Sequence, residues 1–373
     1  MKNYISNIKN ESLKNSMRNT DYILISIILL LMVCGLVILY STSCYNGRVK
    51  FGDSAYYLKK QIFATALGIV CMYVVSKIDY HIMVKFAPLV YICSLILSTL
   101  VLFIGDEYNG SKRWLSLGPL SFQPAELAKL AVVLFITWII SGNKKKNGFG
   151  LIFKVLLLIL PIVALVGSNN LSTAVIILGI AIILIFVSNP HYIQFVGLGV
   201  ACISFLGIFL AMESYRLERL AVWRNPEAYD KGFQTLQGLL AIGSGGLFGN
   251  GLGNSMQKLG FVPEAQNDMI FSIICEELGL IGAALVILLF GILIYRLFKI
   301  AMGYIDLEGL LIAAGIMAHI ALQVILNIAV VTNTIPNTGI TLPFISYGGT
   351  SVLFLLSEMG LAISVSQYSN RRV

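Results

Sequence analysis

Long apolar stretches separated by short polar segments dominate the chain. Ten such stretches can be marked along its 373 residues. They run near Ile23–Tyr40, Ile62–Val75, Ala87–Ile104, Leu127–Ile140, Leu151–Val166, Leu171–Val187, Ile193–Met212, Met269–Tyr295, Leu307–Val331 and Ser351–Val365. A helix that crosses a bilayer needs about 20 apolar residues. The pattern therefore predicts an all-α polytopic membrane protein with about ten transmembrane helices.

The spacing of these stretches also predicts the domain organisation. The second, fourth, fifth and tenth are short, and we expect their helices to extend into the polar flanks or to tilt. Only residues 167–170 separate the fifth from the sixth, which leaves open two spans or one helical hairpin. The organisation we predict is a leader at 1–20, a transmembrane domain at 21–370 and a tail at 371–373. Within it, the longest polar segment, residues 213–268, joins helices 7 and 8.

Composition excludes several other classes of protein. Hydrophobic residues make up 57% of the chain and charged residues 12%, about half of the roughly 25% found in soluble domains. Such a chain is not a soluble, disordered, coiled-coil or collagen-like protein. The six cysteines lie mostly in or beside apolar runs and form no Cys-x-x-Cys pair, so neither a zinc site nor a disulfide framework is indicated.

The basic residues predict the orientation. The net charge of +8 needs no nucleic-acid partner, because cytoplasmic Lys and Arg orient membrane proteins. The leader carries Lys2, Lys9, Lys14 and Arg18 and reads as a retained signal anchor with a cytoplasmic N-terminus. Ten spans return the C-terminus to the cytoplasm, which makes residues 213–268 an extracytoplasmic loop.

Two features of this loop are candidates for chemistry. Asp268 directly precedes the eighth apolar stretch, where it is either a helix N-cap or a general base at the membrane surface. Glu276 and Glu277 follow within that stretch and are expected to face the bundle interior. The glycine-rich run 243–253 lacks the pattern of a nucleotide-binding loop. We interpret it as a tight turn packed at the membrane surface, with contact to a lipid diphosphate as the weaker alternative.

Charged side chains near the third and fourth stretches form a second candidate region. Lys112 and Arg113 stand beside Trp114 in a predicted outer loop, where they either anchor the interface or bind an anionic headgroup. Glu126 and Lys129 are three residues apart on one face of the fourth helix. Inside a membrane we expect them to pair with each other, either to bind substrate or to lock helix packing.

The segment between the ninth and tenth stretches, residues 333–349, carries no charge but contains two prolines and three glycines. It predicts a re-entrant segment that lines a polar cavity. Upstream, His319, Gln323 and Asn327 recur every fourth residue on one helix face. They are interpreted as a polar stripe between helices or as a cavity lining.

At these motifs the sequence resembles the SEDS family (shape, elongation, division and sporulation), represented by FtsW, RodA and SpoVE. The resemblance rests on residues 109–114 with 123–130, on 257–279 around Pro-Glu-Ala-Gln-Asn-Asp, and on 336–351 with Leu-Pro-Phe-Ile-Ser-Tyr-Gly-Gly. It extends over nearly the whole chain from about Asp21. The residues around Pro263 are more similar to the FtsW/SpoVE branch than to the RodA branch.

The resemblance implies a peptidoglycan glycosyltransferase that polymerises lipid II at the outer face of the bacterial cytoplasmic membrane, in division, cell shape or sporulation. It implies a class B penicillin-binding protein as partner, together with other membrane proteins of the divisome or elongasome. A lipid II flippase and a non-catalytic scaffold that activates the penicillin-binding protein remain alternatives. Whether a divalent cation, Mg²⁺ or Mn²⁺, bridges the substrate phosphates is left open, and no metal-ligating residues are predicted.

The resemblance also implies the roles of particular residues. Asp268 matches the essential aspartate of the family and is the predicted catalytic residue. The sequence departs from the family pattern at Asn170, which occupies the site of a usual acidic residue, and at Gln266-Asn267, where the family has His-Thr. The predicted substrate-binding residues are Lys112, Arg113, Gln123, Glu126, Lys129, Lys258, Glu264 and Ser346.

Overall fold

The structure is a computed structural model of the full chain. It describes residues 21–108, 111–117, 120–143, 149–188, 199, 220–303 and 306–369. The seventh apolar stretch, 193–212, lies outside the described residues, apart from residue 199. The leader and the extreme C-terminal tail also lie outside them.

Helices account for most of the described chain. They are α1 Tyr22–Phe51, α2 Tyr56–Lys77, α3 Tyr80–Lys85, α4 Ala87–Ile104, α5 Pro124–Gly142, α6 Phe149–Asn169, α7 Leu171–Ser188, α8 Phe233–Ser244, α9 Ile270–Met302, α10 Leu307–Val331 and α11 Gly349–Ser369. Two 3₁₀ turns, Pro226–Ala228 and Asp230–Gly232, precede α8.

Nine of these helices are long and apolar enough to cross a membrane, counted over the described residues only. The four short stretches extend into their polar flanks as predicted; the second, for example, becomes α2, which starts six residues earlier, at Tyr56. Helices α6 and α7 are separated by Asn170 alone, yet each is long enough to span. Their lengths favour two spans.

Side-chain caps define several helix ends. Asp21 accepts a hydrogen bond from the Leu24 amide at 3.0 Å and so caps α1, and Asp306 caps α10 through the Gly309 amide at 2.8 Å. These carboxylates satisfy backbone N–H groups that have no partner inside the helix. Gly52 ends α1 in the left-handed conformation, with φ of 72°.

A small antiparallel sheet, absent from the all-α prediction, joins α4 to α5. Its strands are β1 Asp106–Tyr108, β2 Ser111–Leu117 and β3 Leu120–Phe122, in the order β1-β2-β3. Glu107 pairs across the sheet with Lys112, and opposite charges at such a position favour pairing. The sheet carries Lys112 and Arg113 beyond the helix ends.

Helices α5, α10 and α11 form the centre of the bundle, since most of their apolar residues are buried. By contrast, α2, α4 and the part of α9 beyond Gly279 keep large apolar side chains on the surface, among them Val70, Phe103 and Leu285. Exposed apolar surface on this scale is unfavourable in water. It is what a lipid-facing helix surface requires.

Two polar clusters are separated by the thickness of a bilayer core. At one level Arg296 of α9 donates to Asp21 at 2.5 Å; at the other, Ser41 of α1 donates to Glu277 of α9 at 2.7 Å. Twenty residues separate the clusters along α1 and nineteen along α9. At about 1.5 Å per residue, each helix rises about 30 Å between them. This distance matches the hydrocarbon core of about 30 Å, and we take the two clusters as its boundaries.

The segment between α10 and α11 is non-helical and deeply packed. Leu342 and Ile345 are buried, and a methyl group on Gly35 of α1 would lie 2.5 Å from the carbonyl oxygen of Phe344. Because Gly35 lies six residues inside the Ser41 boundary, this segment reaches about 9 Å into the core. This segment, here called the re-entrant segment, is packed against protein, as irregular backbone at membrane depth must be. That it lines a polar cavity stays a prediction.

Candidate functional site

Asp268 lies at the junction of two irregular segments, two residues before α9 begins. Its backbone carbonyl accepts a hydrogen bond of 2.8 Å from the Asn327 side chain, which also binds the Ile340 carbonyl at 2.7 Å. A methyl group on Gly339 would lie 3.9 Å from the Asp268 Oδ2 atom. The re-entrant segment thus borders the carboxylate, and Asn327 ties both segments to α10.

The environment of Asp268 makes its carboxylate a stronger base. Burial raises the pKa of Asp268 to about 6, and the negative charge of Glu264 adds to this effect. The amides of Asp268 and Met269 and the positive charge of Arg113 act in the opposite direction. The N-cap of α9 is Met269, so the alternative reading of Asp268 as a helix cap is not supported.

Glu264 shapes the loop beside Asp268. It adopts a left-handed backbone conformation with φ of 53°, which is uncommon for a non-glycine residue. Its carboxylate accepts a short hydrogen bond from the Asn267 side chain, and its carbonyl accepts the Asn267 amide at 2.9 Å. Glu264 therefore holds the chain that leads into Asp268 and supplies a negative charge nearby.

A small cavity is lined in part by basic side chains, and the positive charge of one of them, Arg113, acts on Asp268. It is lined by side chains of α4, β2, α5 and the α6–α7 junction, including Lys112, Arg113, Gln123, Asn169 and Asn170. The sheet is fixed to the helices by reciprocal bonds: Arg113 Nε donates to the Asn169 carbonyl at 2.9 Å, and Asn169 Nδ2 donates to the Lys112 carbonyl at 2.7 Å. Three predicted binding residues thus share one cavity, and the divergent Asn170 lies in the same wall.

Glu126 and Lys129 belong to a buried polar network in the bundle centre. Their ion pair measures 3.0 Å, and Lys129 also donates to Gln323 of α10 at 3.2 Å. His319 contacts Gln323 at 2.9 Å and Glu358 of α11 at 2.7 Å. The expected pairing is present, and the network links α5, α10 and α11.

This network reaches the re-entrant segment through Gln323. The Gln323 amide donates to the Thr341 carbonyl at 3.0 Å. The stripe His319, Gln323 and Asn327 therefore runs between helices and also holds the segment that borders Asp268. These contacts support the interpretation as a polar stripe between packed elements.

Two predicted binding residues have partners inside the fold. Lys258 is buried and its amine contacts Glu277 at 2.7 Å and Ser41 at 3.0 Å. The Ser346 hydroxyl is buried and accepts the Leu342 amide at 2.8 Å. Their polar atoms thus stabilise the boundary cluster and the re-entrant turn.

The glycine-rich run packs against α9 as a tight turn. Gly279 interrupts the helix with φ of 66° and ψ of −168°, a conformation that glycine alone tolerates. A methyl group on Gly279 would lie 2.4 Å from the Gly249 nitrogen. Backbone therefore packs directly on backbone, which accounts for these glycines.

Some contributing residues were not identified from the sequence. Glu358 is fully buried, and a carboxylate within an apolar span is by itself a signal of function. Ser41 and Gln61 gave no comparable signal, because single polar residues are common in membrane helices. Gln61 binds the re-entrant segment at the Gly348 amide, at 3.1 Å.

These features define a class of protein: a multi-pass membrane protein with a buried, weakly acidic carboxylate beside a basic cavity. The site can accept a proton at Asp268 and neutralise an anion at Lys112 and Arg113. The sequence profile of the FtsW/RodA/SpoVE family, described as cell cycle protein, matches residues 21–371. The chain belongs to this family.

Individual relatives agree over almost their full lengths. Stage V sporulation protein E of Bacillus subtilis (strain 168) is 39% identical over 94% of this chain and 97% of its own. A probable peptidoglycan glycosyltransferase FtsW of Trichlorobacter lovleyi is 36% identical over 95% and 96%.

Solved structures show the same fold. A chain from work described as "Structural coordination of polymerization and crosslinking by a peptidoglycan synthase complex" has a TM-score of 0.79 at 27% identity, covering 94% of this chain and 99% of its own. The rod shape determining protein RodA of Thermus thermophilus has a TM-score of 0.71 at 28% identity, covering 94% and 98%.

Proposed function

We propose that the chain is a peptidoglycan glycosyltransferase that polymerises lipid II, with Asp268 as its general base. The observation that carries the proposal is the buried Asp268 carboxylate, whose pKa is raised to about 6 beside a basic cavity. A general base acts best when its pKa lies near the working pH. The names and structures of its relatives support the same reaction.

The reaction follows from the groups present. A sugar hydroxyl of one lipid-linked chain attacks the anomeric carbon of another, and Asp268 accepts the hydroxyl proton. A new C–O bond forms while the bond from the anomeric carbon to the lipid diphosphate breaks. The diphosphate leaves with the bonding electrons, and Lys112 and Arg113 stabilise its negative charge. Gln123 lines the same cavity and orients the substrate there.

The height of the site above the membrane suits this substrate. Glu277 marks the core boundary, and α9 rises about 10 Å from there to its first residue, Ile270. Asp268 therefore lies beyond the hydrocarbon, at the level of lipid headgroups. A polyprenyl tail remains in the bilayer while its diphosphate and sugars reach the carboxylate.

We assign Glu126, Lys129, Lys258 and Ser346 to positioning rather than to substrate contact. Lys129 acts through Gln323 on the re-entrant segment, and Lys258 neutralises Glu277 at the boundary. Glu264 acts on Asp268 through its charge. Among the described residues no three His, Cys, Asp or Glu side chains form a metal-binding cluster.

The partner and location follow from the same proposal. The structural relative from a peptidoglycan synthase complex, in which polymerisation and crosslinking are coordinated, supports a class B penicillin-binding protein as the crosslinking partner. We place the protein in the bacterial cytoplasmic membrane, with both termini in the cytoplasm and Asp268 on the outer face. Other proteins of the division or elongation machinery would then recruit it.

The decisive test is glycan polymerisation from lipid II by the purified chain, with and without its penicillin-binding partner. We expect polymer from the wild type and none from Asp268→Asn. Asp230→Asn is the matched control, because Asp230 is an exposed aspartate that begins a 3₁₀ turn of the same loop. Thermal unfolding of each variant separates lost chemistry from lost folding.

The outcomes discriminate between the candidate functions. A folded Asp268→Asn variant that still polymerises contradicts the general-base assignment. Transport of lipid II across vesicles without polymerisation favours a flippase. Activation of the partner by both wild type and Asp268→Asn, with no polymer from either alone, favours a scaffold.

A further inference from the structure

The segment 243–261, here called the interfacial arm, is unusual for a chain outside the transmembrane helices. Between residues 232 and 263 Lys258 is the sole charged residue, and its amine is buried against Glu277. The arm therefore presents no charge to its surroundings. Water-facing loops of this length normally carry charged or strongly polar side chains.

The arm instead exposes large apolar side chains. Phe248 is 78% exposed, and Leu247, Leu252 and Met256 are exposed as well. These four side chains lie within ten residues of sequence, and the exposed polar side chains among them, Asn250 and Asn254, are uncharged. An exposed apolar patch of this kind marks a contact with protein or membrane.

Backbone pairing fixes the height of the arm. At the Gly279 kink, α9 loses two of its own hydrogen bonds, and the arm replaces them from both sides. The four bonds run from Leu280 N to Gly246 O at 2.9 Å, from Ile281 N to Leu247 O at 3.2 Å, from Asn250 N to Glu276 O at 2.9 Å and from Gly251 N to Glu277 O at 2.9 Å. Because Glu277 marks the boundary of the hydrocarbon core, the arm lies at that boundary.

This pairing satisfies the backbone groups that the kink frees, as an environment without water requires. In water, the amides and carbonyls freed by a kink bind solvent at little cost. In hydrocarbon an unpaired backbone group costs several kcal/mol. The arm also pairs inward through the Glu276 carboxylate, which accepts the Met256 amide at 2.9 Å.

We propose that the interfacial arm is a lipid-inserting element, with Leu247, Phe248 and Leu252 buried among the acyl chains of the leaflet on the Asp268 side. The arm is continuous with a surface that faces lipid, since Leu280 and Ile281 beside it are exposed on α9. The occupant is bilayer phospholipid. A segment of this kind gains binding energy from the apolar area it buries at the headgroup boundary.

The arm connects the membrane to the candidate site. It leads through Pro263 to Glu264 and Asp268, and its Lys258 is fixed at the boundary cluster. The bilayer thereby sets the height of the loop that carries the carboxylate. The insertion of the arm depends on its position at the membrane boundary and does not depend on the reaction that Asp268 performs.

Spin-label accessibility tests this placement. The full chain, with its six cysteines replaced and Phe248→Cys introduced, is labelled in phospholipid nanodiscs without any partner protein. We expect the label at 248 to collide readily with dissolved oxygen and severalfold less with an aqueous nickel chelate. Tyr229→Cys is the water-facing control, because Tyr229 is exposed between the two 3₁₀ turns, and Leu285→Cys is the lipid-facing control.

A second measurement avoids any substitution. Wild-type protein in nanodiscs that contain a phospholipid with a diazirine in its acyl chain is irradiated, digested and analysed by mass spectrometry. We expect lipid adducts on the peptide that contains Leu247 and Phe248 and none on the peptide that contains Tyr229. Equal nickel access at 248 and 229, or no adduct on the arm, overturns the proposal. Shielding of 248 that requires the penicillin-binding partner also overturns it, because the occupant is then protein.

Discussion

Polymerisation is expected to fall tenfold between pH 7 and pH 5 because Asp268 becomes protonated over this range. A general base works in its ionised form, and the pKa of Asp268 is about 6. About 90% of the carboxylate is ionised at pH 7 and about 10% at pH 5. A solvent-exposed aspartate with its ordinary pKa would stay more than about 90% ionised at pH 5. The position of the acid limb therefore reports the burial of Asp268.

Glu264→Gln makes this prediction specific to the site. The Glu264 charge raises the pKa of Asp268, so its removal lowers that pKa and moves the acid limb to lower pH. Glu227→Gln removes an exposed charge of the same sign from the same loop and should leave the midpoint unchanged. The comparison cancels general effects of acidity on the membrane or on folding.

The assay is kcat/KM for glycan polymerisation from lipid II between pH 4.5 and 8, with folding checked at each pH. A wild-type midpoint near 4, with intact protein, refutes the burial argument. A midpoint near 6 that does not move in Glu264→Gln refutes the effect of the Glu264 charge on the pKa of Asp268. The acid limb then belongs to another titrating group.

Three further predictions concern the framework. Gly279→Ala is expected to prevent folding or to lower the thermal unfolding temperature sharply, whereas Gly291→Ala in the same helix meets nothing within 4 Å and should be silent. Lys258→Met leaves Glu277 buried without its positively charged partner and should cost about 3–5 kcal/mol of unfolding free energy. Most of this stability should return in the double variant with Glu277→Leu, and no recovery would refute the structural role of Lys258. Asn327→Leu removes the bonds to the Asp268 and Ile340 carbonyls, so kcat should fall by about 10²-fold at similar KM; a loss confined to KM would contradict this.

The amino-acid sequence by itself determined the class of architecture. Runs of about 20 apolar residues have no stable alternative to membrane-spanning helices, so the spans among the described residues were predictable, although α1 ends eleven residues beyond its predicted stretch. The uncharged segment before α11 was predictable as irregular because it contains two prolines and three glycines. The Glu126–Lys129 pair was predictable because three residues along a helix place two side chains on one face.

Periodicity and composition were less informative about the loops. The three short strands before α5 depend on cross-strand pairs such as Glu107 and Lys112, which local patterns do not reveal. Lys258 was predicted to bind substrate because a leaving diphosphate requires positive charge around it. Its pairing with Glu277, nineteen residues further along the chain, depends on how the arm folds back on α9.

Only the tertiary structure decided the properties of the site. The pKa of Asp268 depends on burial and on Glu264, and that burial is created by the re-entrant segment, which is more than 60 residues away in sequence. The same holds for the height of the arm, which is set by four backbone bonds across the Gly279 kink. Residue types determine which interactions a chain can make. Burial and distance between remote segments determine which of them it does make, and these exist only once the chain is folded.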